Sequence, residues 1–556
     1  MPRSTSRWSL LQQLTTRDER RMLVEVATVS VAAGLADAAT LVGISALAVA
    51  LTRDETSIGF LGAHWGTGTV LAVALLATAA RLLLGAWGAR RSGTLAARVV
   101  HRHRTLVVGR FVRAAWPHSS SVDIGTLQQI AASNTQVAGA NALVWSSGLT
   151  AAIGLVVLTA VALALQPAAA AAVLVLGVAA ALAMRPVSRR ARHTGEVEAT
   201  LARDLAVDIA RIAATDMVTK AFDAGDAVQQ QFAAASDRQV IAYRRGRTLA
   251  LLSPVLFQTV VSVAVLISIA VLAASDLHDL SSIGAVALLA LRSMSYAQGV
   301  QQAVQTCDAQ RGYLQQLLNV EADLDGAAAP DGTTKTPAVT SIEARGVVVE
   351  RASGRHRLGP IDLTVHRNEV VGITGPSGAG KSTLLEVLVR LRAPSAGALF
   401  VNGIDAQMCT AQSWAGRVAF VPQQPLMMAG TVADNVRWFR HVDDAAVQRA
   451  CRLAAVADDV AGWALGYQTP VGDGGSALSI GQRQRLCLAR ALAGDPDVVV
   501  LDEATSALDA ASEAAITRAL TGLRGSLTVV LVAHGASALA ICDRVVTIVD
   551  GRIVPT

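Results

Sequence analysis

GPSGAGKST, residues 375–383, fits the pattern G-x-x-x-x-G-K-[ST], and its flanks decide how it folds. The apolar run NEVVGIT precedes it and LLEVLVRL follows it, so the motif joins a strand to a helix, the context a phosphate-binding loop requires. Glycines let successive backbone N–H groups close around phosphate oxygens at a helix N-terminus. A lysine adds positive charge at the terminal phosphates, and a hydroxyl after it is a magnesium ligand. The candidate cradle is Gly375, Ser377, Gly378, Gly380, Lys381, Ser382 and Thr383, with Ser382 as the magnesium-binding hydroxyl.

Outward from this loop, residues 342–556 carry short strand-like runs that alternate with helical patterns: RVAFV, DVVVLD and SLTVVLVAH. That alternation predicts an α/β domain with a largely parallel core sheet. The run VVVLDEATSALD places Asp502 at the end of a buried strand, as a second magnesium ligand, with Glu503 beside it as the base for an attacking water. The five cysteines, Cys307, Cys409, Cys451, Cys487 and Cys542, show no CxxC spacing, so neither a disulfide framework nor a zinc site is expected and a reducing compartment is the better reading.

Upstream the chemistry changes. Of the 556 residues 52% are hydrophobic and only 16% charged, well below the charge of soluble domains. Apolar runs at residues 23–51, 68–87, 140–165, 168–184, 249–274 and 283–300 each approach the length of about 20 helical residues that crosses a bilayer. Six crossings are expected within residues 1–321, and residues 322–341 (ADLDGAAAPDGTTKTPAVTS) have the composition of a linker. The N-terminus is polar and its first apolar run is too long for a signal-peptide core, so neither a cleavable signal nor a leading peptidase domain is expected.

Arginine-rich RDERR, ARRSGTLAARVVHRHR and RPVSRRARH lie before the first run, between the second and third, and between the fourth and fifth; the other connections carry only Arg53. This bias predicts that both termini face the cytoplasm. The net charge of +6 therefore reads as membrane topology, and nucleic acid is not an expected partner. Only three of the 48 basic residues are lysines, a bias suggesting a high-GC bacterial source and a bacterial cytoplasmic membrane. Connections 88–139 and 185–248 are long, with helical apolar spacing, so helices should extend well beyond the bilayer.

With the phosphate loop, the Asp502–Glu503 pair and six crossings in this order, the chain resembles the ATP-binding cassette (ABC) transporter family: an exporter-type membrane domain fused ahead of a nucleotide-binding domain with a helical subdomain. The resemblance gives LSIGQRQR, residues 478–485, a meaning. It is similar to the family signature, usually LSGGQ, which completes the ATP site of a second domain. It thus implies that Ser479, Gly481 and Gln482 meet a partner's ATP, with Ile480 where glycine is usual. It further assigns Gln423 in FVPQQP to the magnesium and water region, His534 in LVAHGAS to the γ-phosphate, SALD (506–509) to the dimer interface, and residues 122–136 and 206–215 to coupling segments. Alignment puts Arg351 at the adenine-stacking position, where a guanidinium plane can stack on a base or a turn residue can simply be solvated.

The same resemblance implies a dimer of two such chains, or of this chain with a relative. That dimer would use ATP and Mg²⁺ to move an amphipathic peptide, lipid-like compound or small molecule across the bilayer, with export the expected direction. A siderophore-type importer on the same fold and an ATP-gated regulator are the alternatives. One further expectation comes from charge. Asp37 and Arg81 each lie about 20 Å into their crossings, where an unpaired charge costs at least about 2.5 kcal/mol. An ion pair between them is the simplest resolution; the alternative is that one of them, or Arg292 at similar depth, meets a charged group of the cargo.

Overall fold

The computed structural model describes residues 7–53, 57–60, 63–165, 167, 175, 182–273, 280–350, 357–504, 509–533 and 535–554. It divides into two compact units: Met1–Ala114 with His118–Ala328, and Ala115–Pro117 with Ala329–Thr556.

The first unit is helical: α1 (Arg7–Leu14), α2 (Arg17–Arg53), α3 (Thr67–Arg113), α4 (Thr135–Leu165), α5 (Arg185–Ala214), α6 (Gly225–Ala273) and α7 (Leu280–Gly326). Among the described residues, three helical segments, Arg17–Ala48, Thr67–Arg113 and Ile124–Leu165, are long and apolar enough to cross a membrane. The fifth and sixth apolar runs fall in α6 and α7, whereas most of the fourth, 168–184, lies outside the described residues. On α3 the side chains of Leu75, Leu76, Leu82 and Leu83 are exposed, a surface that suits lipid better than water. The 47 residues of α3 run about 70 Å, far longer than a bilayer core.

The arginine-rich half of α3 is held by charge. Arg102 donates to Glu19 and to the Leu14 carbonyl, and buried His103 bonds Glu321 on α7 at 2.5 Å. Asp308 on α7, 1% exposed, is bonded by Arg7 and Arg192. The two coupling-segment candidates meet within this unit. A Cβ on Gly125 would stand 2.5 Å from the Ala206 carbonyl oxygen, so only glycine allows that approach. Next to it, Gln129–Asn134 form a π-helical turn.

Helix α7 runs to Gly326, so residues 322–326 of the expected linker are helical, because Leu324 is buried on the same face as Leu314 and Leu317. Farther on, the strap is pinned to the second unit: Thr334 N–H bonds the Met408 carbonyl, and Val339 N–H bonds the Asp497 carboxylate.

The second unit contains an antiparallel sheet of β1 (Ser341–Glu350), β2 (Arg357–His366) and β4 (Ala396–Val401), edged by Ile404–Asp405. The core sheet has the order β9-β8-β3-β7-β6-β5, with β3 (Val370–Thr374), β5 (Val418–Val421), β6 (Val498–Asp502), β7 (Thr528–Val532), β8 (Arg544–Val549) and β9 (Arg552–Val554). Its pairs are parallel except the β8–β9 hairpin. Strands β6 and β7 are buried at every position, which is why their sequences are continuous apolar runs. Their alternate residues build two cores. Val371, Ile373, Val498, Val500, Val530 and Val532 pack with Leu384, Leu385 and Leu388 of α8 (Lys381–Leu388). Val499, Leu501, Val529 and Leu531 pack with Leu486, Leu488 and Leu492 of α9 (Ile480–Leu492). The helix after the phosphate loop and the helix of LSIGQ therefore lie on opposite faces of one sheet.

Candidate functional site

The carboxyl ends of three parallel strands, the usual ligand edge of an open α/β sheet, deliver the candidate residues together. Out of β3 the chain turns through Gly375, Gly378 and Gly380 at φ of 144°, 81° and 101°, values that L side chains rarely adopt. A Cβ on Gly375 would lie 2.0 Å from the Ile548 carbonyl oxygen. Gly380 caps α8, and Lys381, 5% exposed, bonds the loop's own Gly375 and Pro376 carbonyls at 2.9 and 3.1 Å. Ser377 and Thr383 belong to the same loop and to the first turn of α8.

At the end of β6, Asp502 is 8% exposed and its Oδ1 has no hydrogen-bond partner. Burial pushes its carboxyl above the ordinary carboxylate range; a hydrogen bond from Ser382 opposes the rise, Glu503 and Glu386 add to it, and Lys381 opposes it. Glu503 follows at φ 45°, a left-handed conformation that costs a non-glycine residue energy and concentrates at functional sites. Its amide donates to the Val532 carbonyl, and Gln423, on the loop after β5, donates from Nε2 to Oε2 of Glu503 at 2.8 Å.

The LSIGQ segment is built as a helix start. The Ser479 hydroxyl accepts from the Gln482 amide at 3.2 Å, and the Gln482 side chain accepts from the Ser479 amide at 3.0 Å, a reciprocal capping box. Gln482 and Arg485 also bond the two carboxylate oxygens of Asp459. Gly481 is buried, whereas Ile480 is 49% exposed and displaces nothing within the chain.

Three comparisons agree with this geometry. Residues 358–506 match the family described as ABC transporter. The rat ATP-binding cassette sub-family B member 6 is 36% identical over 214 residues, 38% of this chain and 26% of that protein. The ATP-dependent lipid A-core flippase of Ralstonia nicotianae is 40% identical over 205 residues, 36% of this chain and 35% of that protein. The beta-(1→2)glucan export ATP-binding/permease protein of Mesorhizobium japonicum is 34% identical over 246 residues, 44% and 42%. The matched segment thus spans less than half of each of these relatives. A solved bacterial Atm1-family ABC exporter with ATP bound superposes with a TM-score of 0.80 over 96% of this chain and 94% of that one, at 21% identity.

Residues 358–506 carry an ABC transporter domain, and the chain has the fold of a bacterial ABC exporter.

Within the cassette, the structure brings the phosphate loop, Asp502, Glu503 and Gln423 to one edge and carries Ser479, Gly481 and Gln482 on the opposite sheet face. Arg351, His534 and residues 506–508 of SALD lie outside the described residues; Asp509 is described and caps the helix Ala510–Leu523. The donor set fits magnesium: an orphaned buried carboxylate oxygen on Asp502 beside the Ser382 hydroxyl is hard-oxygen chemistry. Sequence reasoning missed the strut that ties the loop after β5, which carries Gln423, to the helix of LSIGQ. Asn435, 0% exposed, bonds the Met428 amide and carbonyl and the Thr431 carbonyl, while Arg490 of α9 donates to the Asn435 carbonyl. Its one sequence signal is a polar residue inside an apolar helical pattern.

Proposed function

We propose that this chain is one half of an ATP-driven exporter whose paired cassettes bind ATP between them and hydrolyse it, moving an amphipathic cargo across a bacterial cytoplasmic membrane with both termini on the cytoplasmic side. The observation that carries the reading is the hydrogen bond from Gln423 to Glu503 at the edge where Asp502 and the phosphate loop converge. It holds a candidate carboxylate base at the edge of the phosphate loop. Gly375, Ser377, Gly378, Gly380, Lys381, Ser382 and Thr383 would cradle the phosphates; Ser382, Asp502 and Gln423 would hold Mg²⁺, which would supply positive charge at the phosphate oxygens. Glu503 takes the proton of the attacking water. His534 at the γ-phosphate and Arg351 at the adenine complete the assignment by resemblance.

Because the two phosphate-facing elements lie on opposite faces of one sheet, Ser479, Gly481 and Gln482 act on ATP held by a second chain, at the N-terminus of α9 where the helix dipole favours an anion. The names of the matched flippase and glucan exporter support export over the importer alternative. The test is ATP-dependent accumulation in inside-out vesicles carrying the wild type or Glu503→Gln, scored by mass spectrometry of vesicle contents. A compound accumulated by the wild type alone supports the reading. Cargo accumulated only in right-side-out vesicles reverses the direction, and equal contents in both preparations contradict it.

A further inference from the structure

Asp37 of α2, 1% exposed, is the meeting point of three side chains. Arg81 of α3 lies 3.0 Å from Oδ1, while Arg292 Nε and the Tyr296 hydroxyl of α7 donate to Oδ2 at 2.9 and 2.8 Å. The Arg292 guanidinium also stands over the Tyr296 ring at 5.1 Å, and that ring lies against Gly154 of α4, where a Cβ would be 2.6 Å away. Four helices thus fix one carboxylate between two guanidiniums, leaving an excess of one positive charge.

Among the described residues no second acid bonds the cluster. Across residues 23–51, 68–87, 140–165, 168–184, 249–274 and 283–300 the charged residues are Glu25, Asp37, Arg81 and Arg292, and Glu25 is bonded by Arg91. A second identical chain would add another cluster of the same sign, not an acid. Lipid headgroups lie at the bilayer surface rather than at this depth. Asp37 is buried, but the side chains of Arg81 and Arg292 remain 42% and 32% exposed, so the free positive field belongs to the accessible members. Between α5 and α6, a cavity of about 550 Å³ repeats the sign: Arg189, Arg190, His193, Arg244 and Arg245 line it with no acid among its lining residues.

We propose that the Asp37–Arg81–Arg292 cluster is a binding point for the negatively charged group of the cargo, so that the transported compound is an amphipathic anion. The proposal rests on the transport reading above and names its substrate class. Asp37 orients and partly neutralises the two guanidiniums, which keeps the site folded when empty and leaves one unit of charge for a carboxylate or phosphate.

The test is equilibrium binding without nucleotide, to protein in phosphatidylcholine nanodiscs at pH 8, of a dansylated long-chain fatty acid and of its uncharged methyl ester. The wild type should prefer the acid by about tenfold or more. Arg81→Gln and Arg292→Gln should each remove most of that preference with ester binding unchanged, Arg292→Lys should keep it, and Asp37→Asn should strengthen it. Equal binding of acid and ester by the wild type, or a preference untouched in both glutamine variants, overturns the proposal. Where a glutamine variant does not fold, displacement from the wild type decides: palmitate should displace the dansylated acid at least about tenfold better than methyl palmitate does, and equal displacement overturns the proposal. Since no ATP is present, failure of the pump reading leaves this result standing, and the reverse also holds.

Discussion

Glu503 combines a left-handed backbone with a carboxylate bonded by Gln423 next to buried Asp502. If it is the base, Glu503→Gln should lower ATP turnover by at least about 10²-fold while leaving ATP affinity near wild type, since the phosphate loop is untouched. Measured ATPase within threefold of wild type would remove Glu503 from the mechanism. Asp502 makes a prediction of opposite character. Its carboxyl sits above the ordinary range because it is buried, so the folded state holds this proton to higher pH than the unfolded chain. The stability linked to it is complete below the ordinary carboxylate range and is lost as pH rises through the raised value. Without nucleotide and magnesium, Asp502→Asn should therefore raise the melting temperature at pH 7 relative to wild type and narrow that gap at acid pH. A lower melting temperature at pH 7 would mean that the carboxylate is stabilised by contacts rather than strained by burial.

At the signature helix α9, the expectation that Ile480 acts as a spacer fits its exposure at the helix start. The start of the helix is fixed by Ser479 and Gln482, and Ile480 points outward at the first turn. Ile480→Gly should change stability by less than about 1 kcal/mol and ATPase only modestly. Ser479→Arg breaks the capping box and puts a bulky side chain at the helix start that faces the partner's ATP, so ATP retention should be lost; equal effects of the two substitutions would reverse the assignment. The core elements were legible because strands buried on both faces read as unbroken apolar runs, and because a phosphate loop needs glycines at fixed places. The Asn435–Arg490 strut was not, since its partners are far apart in sequence and meet only through packing. Residues 322–326 continue the helix although ADLDG has loop composition, because Leu324 has a core to enter.

Across the whole molecule, depth along the helices located Asp37 and Arg81 as a pair, but depth says nothing about rotation. The facing side chains of α7, Arg292 and Tyr296 four residues apart on one helical face, turned the expected pair into a cluster around one carboxylate. Asp37→Ala should destabilise the membrane unit by about 3–5 kcal/mol by leaving two guanidiniums unpaired, visible as a lower melting temperature in nanodiscs. The exchange Asp37→Arg with Arg81→Asp should not restore it, because a buried position built as the acceptor of three donors would then hold a guanidinium facing Arg292 and the Tyr296 hydroxyl; full recovery would show that Arg292 and Tyr296 contribute little. At the same scale lies the central claim, that each ATP site is completed by a second cassette. Lys381→Ala and Ser479→Arg chains, differently tagged and co-expressed in a Glu503→Gln background, test it by ATP retained per purified mixed dimer. Each variant alone should retain almost none. The mixed dimer should retain close to one ATP, because the intact loop of one chain faces the intact signature of the other. No retention in the mixed dimer, with the Glu503→Gln parent retaining two, would contradict the account.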